Sequence, residues 1–457
     1  MKRMDPALRE RIQKEAKTTL RVGLPIIIAQ LLQMSMNFVD TVMAGRLSAL
    51  DLAAVAIGSS ILLPFLVFGL GTVMAVNPIV AQNFGSRRFD QIGSNVRQTL
   101  WISQIIALPF FFATRNLNLL MVWIGVAPEI IPIAEGYLLA ISWGLFPVMA
   151  YGALRYFNEG MSVTRPGMYV ALIGTLANIP LNYIFMYGKL GIPALGAVGT
   201  GYASTIVYLL MFLSILTFTF NFKPYRRFYI FDQFRLPDRA HFREMLTIGI
   251  PIGVSATMEV TMFAAVSLLM GTLGTIAVAG HQIAINVASL AFMIPFGLSM
   301  AITARVGQSA GKNRLDEARF RGLVGIALCT FFMTLTALLM VLFPEPIISI
   351  YTTDQPVRDV ALQLLFMAAI FQISDGLQVG AFGALRGLKD TRFPMVVNIF
   401  AYGAAGLSLA WYLGIYLEWG ALGLWIGLIV GLSLTGLFHN LRFLYKTRPA
   451  EKKTTEE

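Results

Sequence analysis

Long apolar runs alternate with short polar breaks along almost the whole chain. A run of about 20 apolar residues matches the hydrocarbon thickness of a bilayer when wound as a helix. Read this way, the pattern predicts 12 spans. They are 22–45, 53–82, 98–114, 136–155, 166–188, 196–220, 246–270, 278–304, 322–343, 360–382, 394–416 and 420–441. The predicted fold class is therefore an all-α membrane protein with 12 transmembrane helices. The first 21 residues are strongly charged (Lys2, Arg3, Arg9, Arg11, Lys14, Lys17, Arg21). The apolar run after them is too long for a signal-peptide core and shows no small-residue cleavage site, so it reads as a retained first span.

Composition agrees with this. The chain has 457 residues, 56% hydrophobic and only 13% charged, against roughly 25% charged in soluble domains. A net charge of +11 invites a nucleic-acid reading. The basic residues are dispersed between oily spans instead, where they act as topology signals toward an anionic leaflet. With 12 spans, 31 of the 35 Lys and Arg fall on the side of the N-terminus. Only Arg46, Arg115, Lys189 and Arg358 fall opposite. Both termini are thus expected in the cytoplasm. The single cysteine, Cys329, rules out an intramolecular disulfide.

The two halves repeat at an offset near 226. Gly23-Leu24-Pro25 matches Gly249-Ile250-Pro251, and Met43-Ala44-Gly45 aligns with Leu269-Met270-Gly271. Val80-Ala81-Gln82-Asn83-Phe84-Gly85 aligns with Val306-Gly307-Gln308-Ser309-Ala310-Gly311. Six spans return the chain to its starting side, so the halves share one topology. They are expected to form two pseudo-symmetric six-helix lobes, residues 1–222 and 245–457, joined by a basic cytoplasmic linker at 223–244. This is the parallel-repeat arrangement of some transporters, whose substrate sites lie near the repeat interface.

Three acids stand alone in apolar spans: Asp40, Glu259 and Asp375. An ionised carboxylate at a bilayer centre costs about 2.5–3.5 kcal/mol on insertion scales. Such a group either takes a proton or binds a cation, and both events change the charge a cationic substrate meets. In the first span Gln33, Asn37 and Asp40 share a helix face at i, i+4 and i+7. In the fifth, Asn178 and Asn182 bracket Pro180, which frees a backbone carbonyl. Together they could build an oxygen-lined cation site; the plainer reading of the Asn pair is polar packing between helices. Glu259 precedes Met262-Phe263. Asp375 follows Phe371-Gln372, with Gln378 one turn on. The repeat sets Glu259 against Gln33, so the halves do not carry copies of one site. His281, Gln282 and Asn286 add polarity to the eighth span, where a lone histidine is more often hydrogen-bonded structure than a relay. Methionine and aromatic side chains could line an adaptable cavity for organic cations.

The chain has no G-x-x-x-x-G-K-[ST] loop, no H-E-x-x-H and no Cys/His cluster. No ATP hydrolysis, enzyme activity or cofactor is expected.

Several stretches resemble the multidrug and toxic compound extrusion (MATE) family in its NorM-like branch. They are Gly23-Leu24-Pro25 through Phe38-Val39-Asp40-Thr41-Val42-Met43-Ala44-Gly45, then Asn178-Ile179-Pro180-Leu181-Asn182-Tyr183-Ile184-Phe185 and Met258-Glu259-Val260-Thr261. Ala279-Gly280-His281-Gln282-Ile283-Ala284 and Leu385-Arg386-Gly387 with Lys389-Asp390-Thr391 complete the set. The resemblance implies a two-lobed antiporter of the bacterial inner membrane. It would export amphipathic, mostly cationic drugs against entering Na⁺ or H⁺. It maps one cation site, with Na⁺ a candidate, onto Glu259 and Asp375. It maps another onto Asp40, Asn178 and Asn182, with Ser204 as a hydroxyl ligand. Relatives can carry tyrosine where this chain has Phe371 or Phe292, and the lost hydroxyl removes an oxygen ligand. A lipid or lipid-linked glycan flippase is the alternative, but a carrier of pyrophosphate should show cationic residues mid-span. A channel fits less well than a duplicated body with dispersed acids. Nothing in the chain predicts an oligomer, and a monomer can hold a complete cavity.

Overall fold

The computed structural model describes residues 5–232 and 236–448. Five residues used in the charge count, Lys2, Arg3, Arg235, Lys452 and Lys453, lie outside them. Among the described residues there is no strand. The helices are α1 (Pro6–Leu47), α2 (Ala49–Val73), α3 (Val76–Gly85), α4 (Phe89–Thr114), α5 (Asn118–Trp123) and α6 (Ile131–Ser142). Next come α7 (Leu145–Gly160), α8 (Arg165–Tyr187), α9 (Ala197–Asn221), a 3-10 turn at Lys223–Phe228, α10 (Arg239–Gly271) and α11 (Thr275–Gly311). Then α12 (Leu315–Leu342), α13 (Pro344–Ser349), α14 (Gln355–Gly387), α15 (Arg392–Asn398), α16 (Ser408–Trp411) and α17 (Gly420–Lys446) complete the chain, with wide π turns on both sides of α16.

Eleven spans are long and apolar enough to cross a membrane among the described residues, counting α2 with α3, and α15 with α16, as one each. The bent pair α6 and α7 makes a twelfth. Every one of the 12 expected spans falls on one of these.

Two differences have clear causes. Helix α1 begins at Pro6 rather than near residue 22, so the charged N-terminal stretch is helical. Its Glu15 is buried and takes a bidentate pair from Arg305, at 2.8 and 2.6 Å. The expected fourth span, 136–155, is broken between Ser142 and Leu145 with a bend of 47°. Pro147 has no N–H for the carbonyl four residues back. At the break the Gly144 N–H donates to the Ile141 carbonyl at 2.8 Å instead of to Ala140, and Thr205 Oγ1 donates to the Ala140 carbonyl at 3.0 Å. Before α10, the Asp238 carboxylate accepts from the His241 backbone N–H and ring, as an N-cap does. The bond from the His241 side chain holds this exposed acid below the usual carboxylate range.

The chain divides into two compact units. One comprises Met1–Leu24, Ala81–Arg88 and Met258–Glu457; the other comprises Pro25–Val80 and Phe89–Thr257. The second packs Leu62, Tyr137, Leu138, Met149 and Met186 into its core. The first is centred on Phe371, Tyr402, Trp425 and Leu432.

The internal repeat is written into both units by close approaches at matched glycines. In one, a Cβ on Gly249 would stand 2.2 Å from the carbonyl of Thr72. In the other, a Cβ on Gly23 would stand 2.8 Å from Leu298, and both residues are the repeat partners of that first pair. Within the unit that holds 81–88, a Cβ on Gly85 would meet the Gln308 carbonyl at 2.2 Å, and one on Gly311 would meet the Gln82 carbonyl at 2.1 Å. Each contact is the other's repeat image, as across a twofold axis. Gln82 Nε2 also donates to the Gly387 carbonyl at 2.8 Å.

Gly85→Ala and Gly311→Ala should each cost about 1–3 kcal/mol of stability by overpacking. Both should lower the melting temperature of the detergent-solubilised protein. Gly271→Ala, where a Cβ meets nothing within 4 Å, should not.

Candidate functional site

The unit that holds Pro25–Val80 and Phe89–Thr257 builds its polar centre from α1, α8 and α9. Asp40 on α1 is buried. Asn178 and Asn182 lie one turn apart on α8, so both side chains point the same way past Pro180. Both amides donate to Asp40 Oδ1, Asn178 at 2.9 Å and Asn182 at 2.5 Å. Ser204 Oγ on α9 donates to Oδ2 at 3.4 Å. The structure thus brings together the four residues that the resemblance maps to this place, but not Gln33 and Asn37, which the shared helix face adds. The Oδ1 atoms of Asn178 and Asn182 are buried and accept no hydrogen bond among the described residues. Turning either amide over would exchange donor for acceptor and face oxygens toward the carboxylate.

Gln33 goes elsewhere. Its Oε1 accepts from Arg155 Nη1 at 3.1 Å, and its Nε2 donates to the Tyr151 hydroxyl at 3.3 Å. Arg155 also donates to Gln30 Oε1 at 3.0 Å and pairs with Glu159 at 2.8 Å. By sequence Arg155 counts as a topology charge at a span's end. In the structure it is buried, and it ties α7 to α1. The signal for this pair was available in Arg155 and Glu159 at i, i+4. The two glutamines on α1 gave none. Asn37 is exposed.

The second polar centre lies on α14. Asp375 is 1% exposed, and neither carboxylate oxygen has a hydrogen-bond partner among the described residues. Gln372 and Gln378, three residues to each side, share its helix face. Their Oε1 atoms are also buried without a partner among the described residues. One face of α14 therefore presents four buried acceptor oxygens that no donor among the described residues answers. Gln378 Nε2 donates to the Tyr402 hydroxyl at 3.0 Å. Glu259 on α10, half-buried, is close enough to Asp375 for the two charges to interact. Tyr402 lies within range of both acids.

An aromatic row flanks this centre. Phe263 meets Phe371 edge-on at 5.9 Å, Phe371 meets Trp425 at 6.1 Å, and Trp425 meets His281 at 5.8 Å. The Trp425 indole N–H donates to His281 Nδ1 at 3.2 Å, and Ser267 Oγ lies 3.0 Å from Nε2. Both ring nitrogens are occupied by hydrogen-bonded structure, with the neutral ring protonated on Nε2. Met262 is buried in the core nearby. Gln282 is exposed, and Phe292 meets Phe296 at a tilt, 5.6 Å between ring centroids, outside this row. Trp425 was missed by sequence reasoning, because a tryptophan in the last span has no pattern that marks its partner.

A duplicated helical membrane body with isolated buried carboxylates defines a polytopic transport protein. The MatE family profile matches residues 25–184 and again 251–412, two copies whose starts lie 226 residues apart. The chain belongs to the MatE family. It is 39% identical over 443 residues to multidrug resistance protein NorM of Aliivibrio fischeri, covering 96% of each chain. It is 40% identical over 433 residues to multidrug resistance protein MdtK of Yersinia enterocolitica, covering 94% of this chain and 95% of that one. Its fold is similar to the crystal structure of the eukaryotic MATE transporter AtDTX14, with a TM-score of 0.86 at 18% identity over 96% of this chain and 99% of that one. It is also similar to an outward-facing multidrug resistance MATE family transporter, with a TM-score of 0.87 at 19% identity over 95% and 96%.

Breaking a buried ion pair by removing one partner costs about 3–5 kcal/mol, whereas replacing both can be nearly neutral. Arg155→Met should therefore destabilise the protein strongly. Arg155→Met combined with Glu159→Met should recover most of the loss in thermal denaturation. Equal losses in the single and double variants would show that the loss comes from the bonds of Arg155 to Gln30 and Gln33 on α1 rather than from a stranded Glu159 charge.

Proposed function

We propose that this protein is a secondary multidrug exporter, driving amphipathic and mostly cationic compounds out of the cell against the entry of Na⁺ or H⁺. The observation that carries the proposal is the buried, unanswered oxygen face of Gln372, Asp375 and Gln378 beside Glu259. A carboxylate without a donor in a low-dielectric span must be neutralised by a proton, a metal cation or an organic cation. All three answer the same charge, so one displaces another, and that exchange is the coupling. Hard cations take oxygen ligands, which Glu259, Asp375 and the two glutamine carbonyls would supply. Phe371 offers a ring face rather than a hydroxyl. Asp40 with Asn178, Asn182 and Ser204 forms a second such station, already satisfied by donors and open to a cation once the amides turn. The relatives carrying multidrug resistance names support the substrate class.

In this reading the lobes 1–222 and 245–457 expose the acidic centre alternately to the two sides, a monomer suffices, and both termini face the cytoplasm of a bacterial inner membrane. Beside the Asp375 centre, Phe263 and the exposed Gln282 are the adaptable lining. The flippase reading needs buried cations for a pyrophosphate. Of the buried arginines, Arg155 is committed to Glu159, Gln30 and Gln33, and Arg386 donates to Ser299 Oγ at 2.9 Å and lies near the acid Glu259 rather than in an acid-free cavity.

Ethidium movement in proteoliposomes under an imposed Na⁺ gradient, and separately a pH gradient, tests this. At least one gradient should drive the dye. Asp375→Asn should cut the driven flux at least tenfold at equal protein yield. Dye movement under neither gradient, or unchanged flux in Asp375→Asn, contradicts the proposal.

A further inference from the structure

The connection from α9 to α10 holds a cavity that the transport reading leaves unused. It has a volume of about 430 Å³ and lies between the last turn of α9, Thr219–Asn221, and the segment that runs from Tyr225 to Asp232. Its floor is fixed. Tyr225 and Phe228 are buried beneath it, and the Tyr225 hydroxyl donates to Asn158 Oδ1 at 2.8 Å. Arg97 Nη1 donates to the carbonyls of Tyr229 and Ile230, the latter at 3.1 Å. Gly93 on α4 lets the Phe228 carbonyl approach so closely that a Cβ there would sit 1.9 Å from it. The segment is therefore docked onto α4 rather than hanging between spans.

The rim has two kinds of side chain. Arg226 and Arg227 line the cavity and are exposed, and the Arg227 guanidinium is oriented by stacking over Phe89 at 4.7 Å. Against them stands one acid, Asp232. Phe220 and Tyr229 are 65% and 63% exposed at the same rim, where the apolar span α9 ends. Exposed aromatics at a span's end sit at headgroup level. Arginine forks match the oxygens of a phosphate. Basic pockets at the cytoplasmic ends of spans hold lipid headgroups.

We propose that this cavity binds a glycerophospholipid headgroup. Arg226 and Arg227 hold the phosphodiester, and Asp232 faces the alcohol or ammonium beyond it. The aromatic rim favours a lipid over a soluble phosphate, because it lies where acyl chains leave the headgroup. The site rests on the cytoplasmic orientation in that reading and is independent of its coupling ion and drug.

The test uses the full-length protein purified in detergent, with phosphatidylglycerol, diacylglycerol of the same chains, and inorganic phosphate as probes. Lipid retention is read by native mass spectrometry and affinity by thermal stabilisation. A basic residue near an anionic headgroup contributes about fivefold in affinity. Arg226→Gln should weaken phosphatidylglycerol binding about fivefold, and Arg226→Gln with Arg227→Gln about 25-fold. Lys312→Gln, an exposed cation outside the cavity, should match the unaltered protein, as should the transport variant Asp375→Asn. Equal retention in the double variant, or diacylglycerol binding as well as phosphatidylglycerol, overturns the proposal. Inorganic phosphate stabilising the protein in an Arg226-dependent way, with no added effect of the lipid, overturns the lipid assignment. Arg226→Gln leaves the stacked Arg227 in place, so a folding defect of the double variant does not blunt the result.

Discussion

A polar atom inside an apolar span finds no water, so its partners must come from the chain itself. That single requirement sorts the buried polar groups of this protein. Backbone gaps are closed locally, as where Thr205 takes the carbonyl freed at the bend between α6 and α7. Arg155 and Glu159 neutralise each other and recruit Gln30 and Gln33. Asp40 is answered by two amides and a hydroxyl. Asp375 is answered by nothing among the described residues. The first two arrangements stabilise the fold. The last costs stability unless something else completes it, and a transported cation is such a thing.

The repeat gives the body its close approaches. Glycines at 249, 85 and 311 admit backbone carbonyls where a Cβ would collide, and Gly23 admits the tip of Leu298. Because each contact recurs at its repeat partner, both units inherit the same packing rule while their polar centres diverge. Gln33 and Glu259 occupy equivalent repeat positions. One is consumed by Arg155, and the other stands near Asp375. Duplication supplied the scaffold, and single side chains made the two centres different.

The fold was largely legible in the sequence because charge-free runs mark spans without any knowledge of packing. What stayed hidden depends on distant partners. The charged stretch before residue 22 is helical, and its Glu15 is held by Arg305, 290 residues away. No local pattern announces that pairing. The Asp40 station was legible because Asn178 and Asn182 repeat at the helical period around Pro180. The commitment of Gln33 to Arg155 was not, since a lone arginine near a span's end reads equally as a surface charge. His281 fits its plainer reading, held between Trp425 and Ser267. The gap at Asp375 could be suspected from the sequence, but only the structure shows Gln372 and Gln378 leaving their oxygens unanswered beside it.

The central claim is that ion and drug answer the same buried carboxylates in turn. Its most direct test is ion release on drug binding. Purified protein in weakly buffered detergent is titrated with ethidium while pH is followed, and in parallel the displacement of bound radioactive Na⁺ is counted. Ethidium binding should release a proton or displace Na⁺, and Asp375→Asn should abolish that release. Ethidium that binds tightly while releasing neither ion would contradict the account.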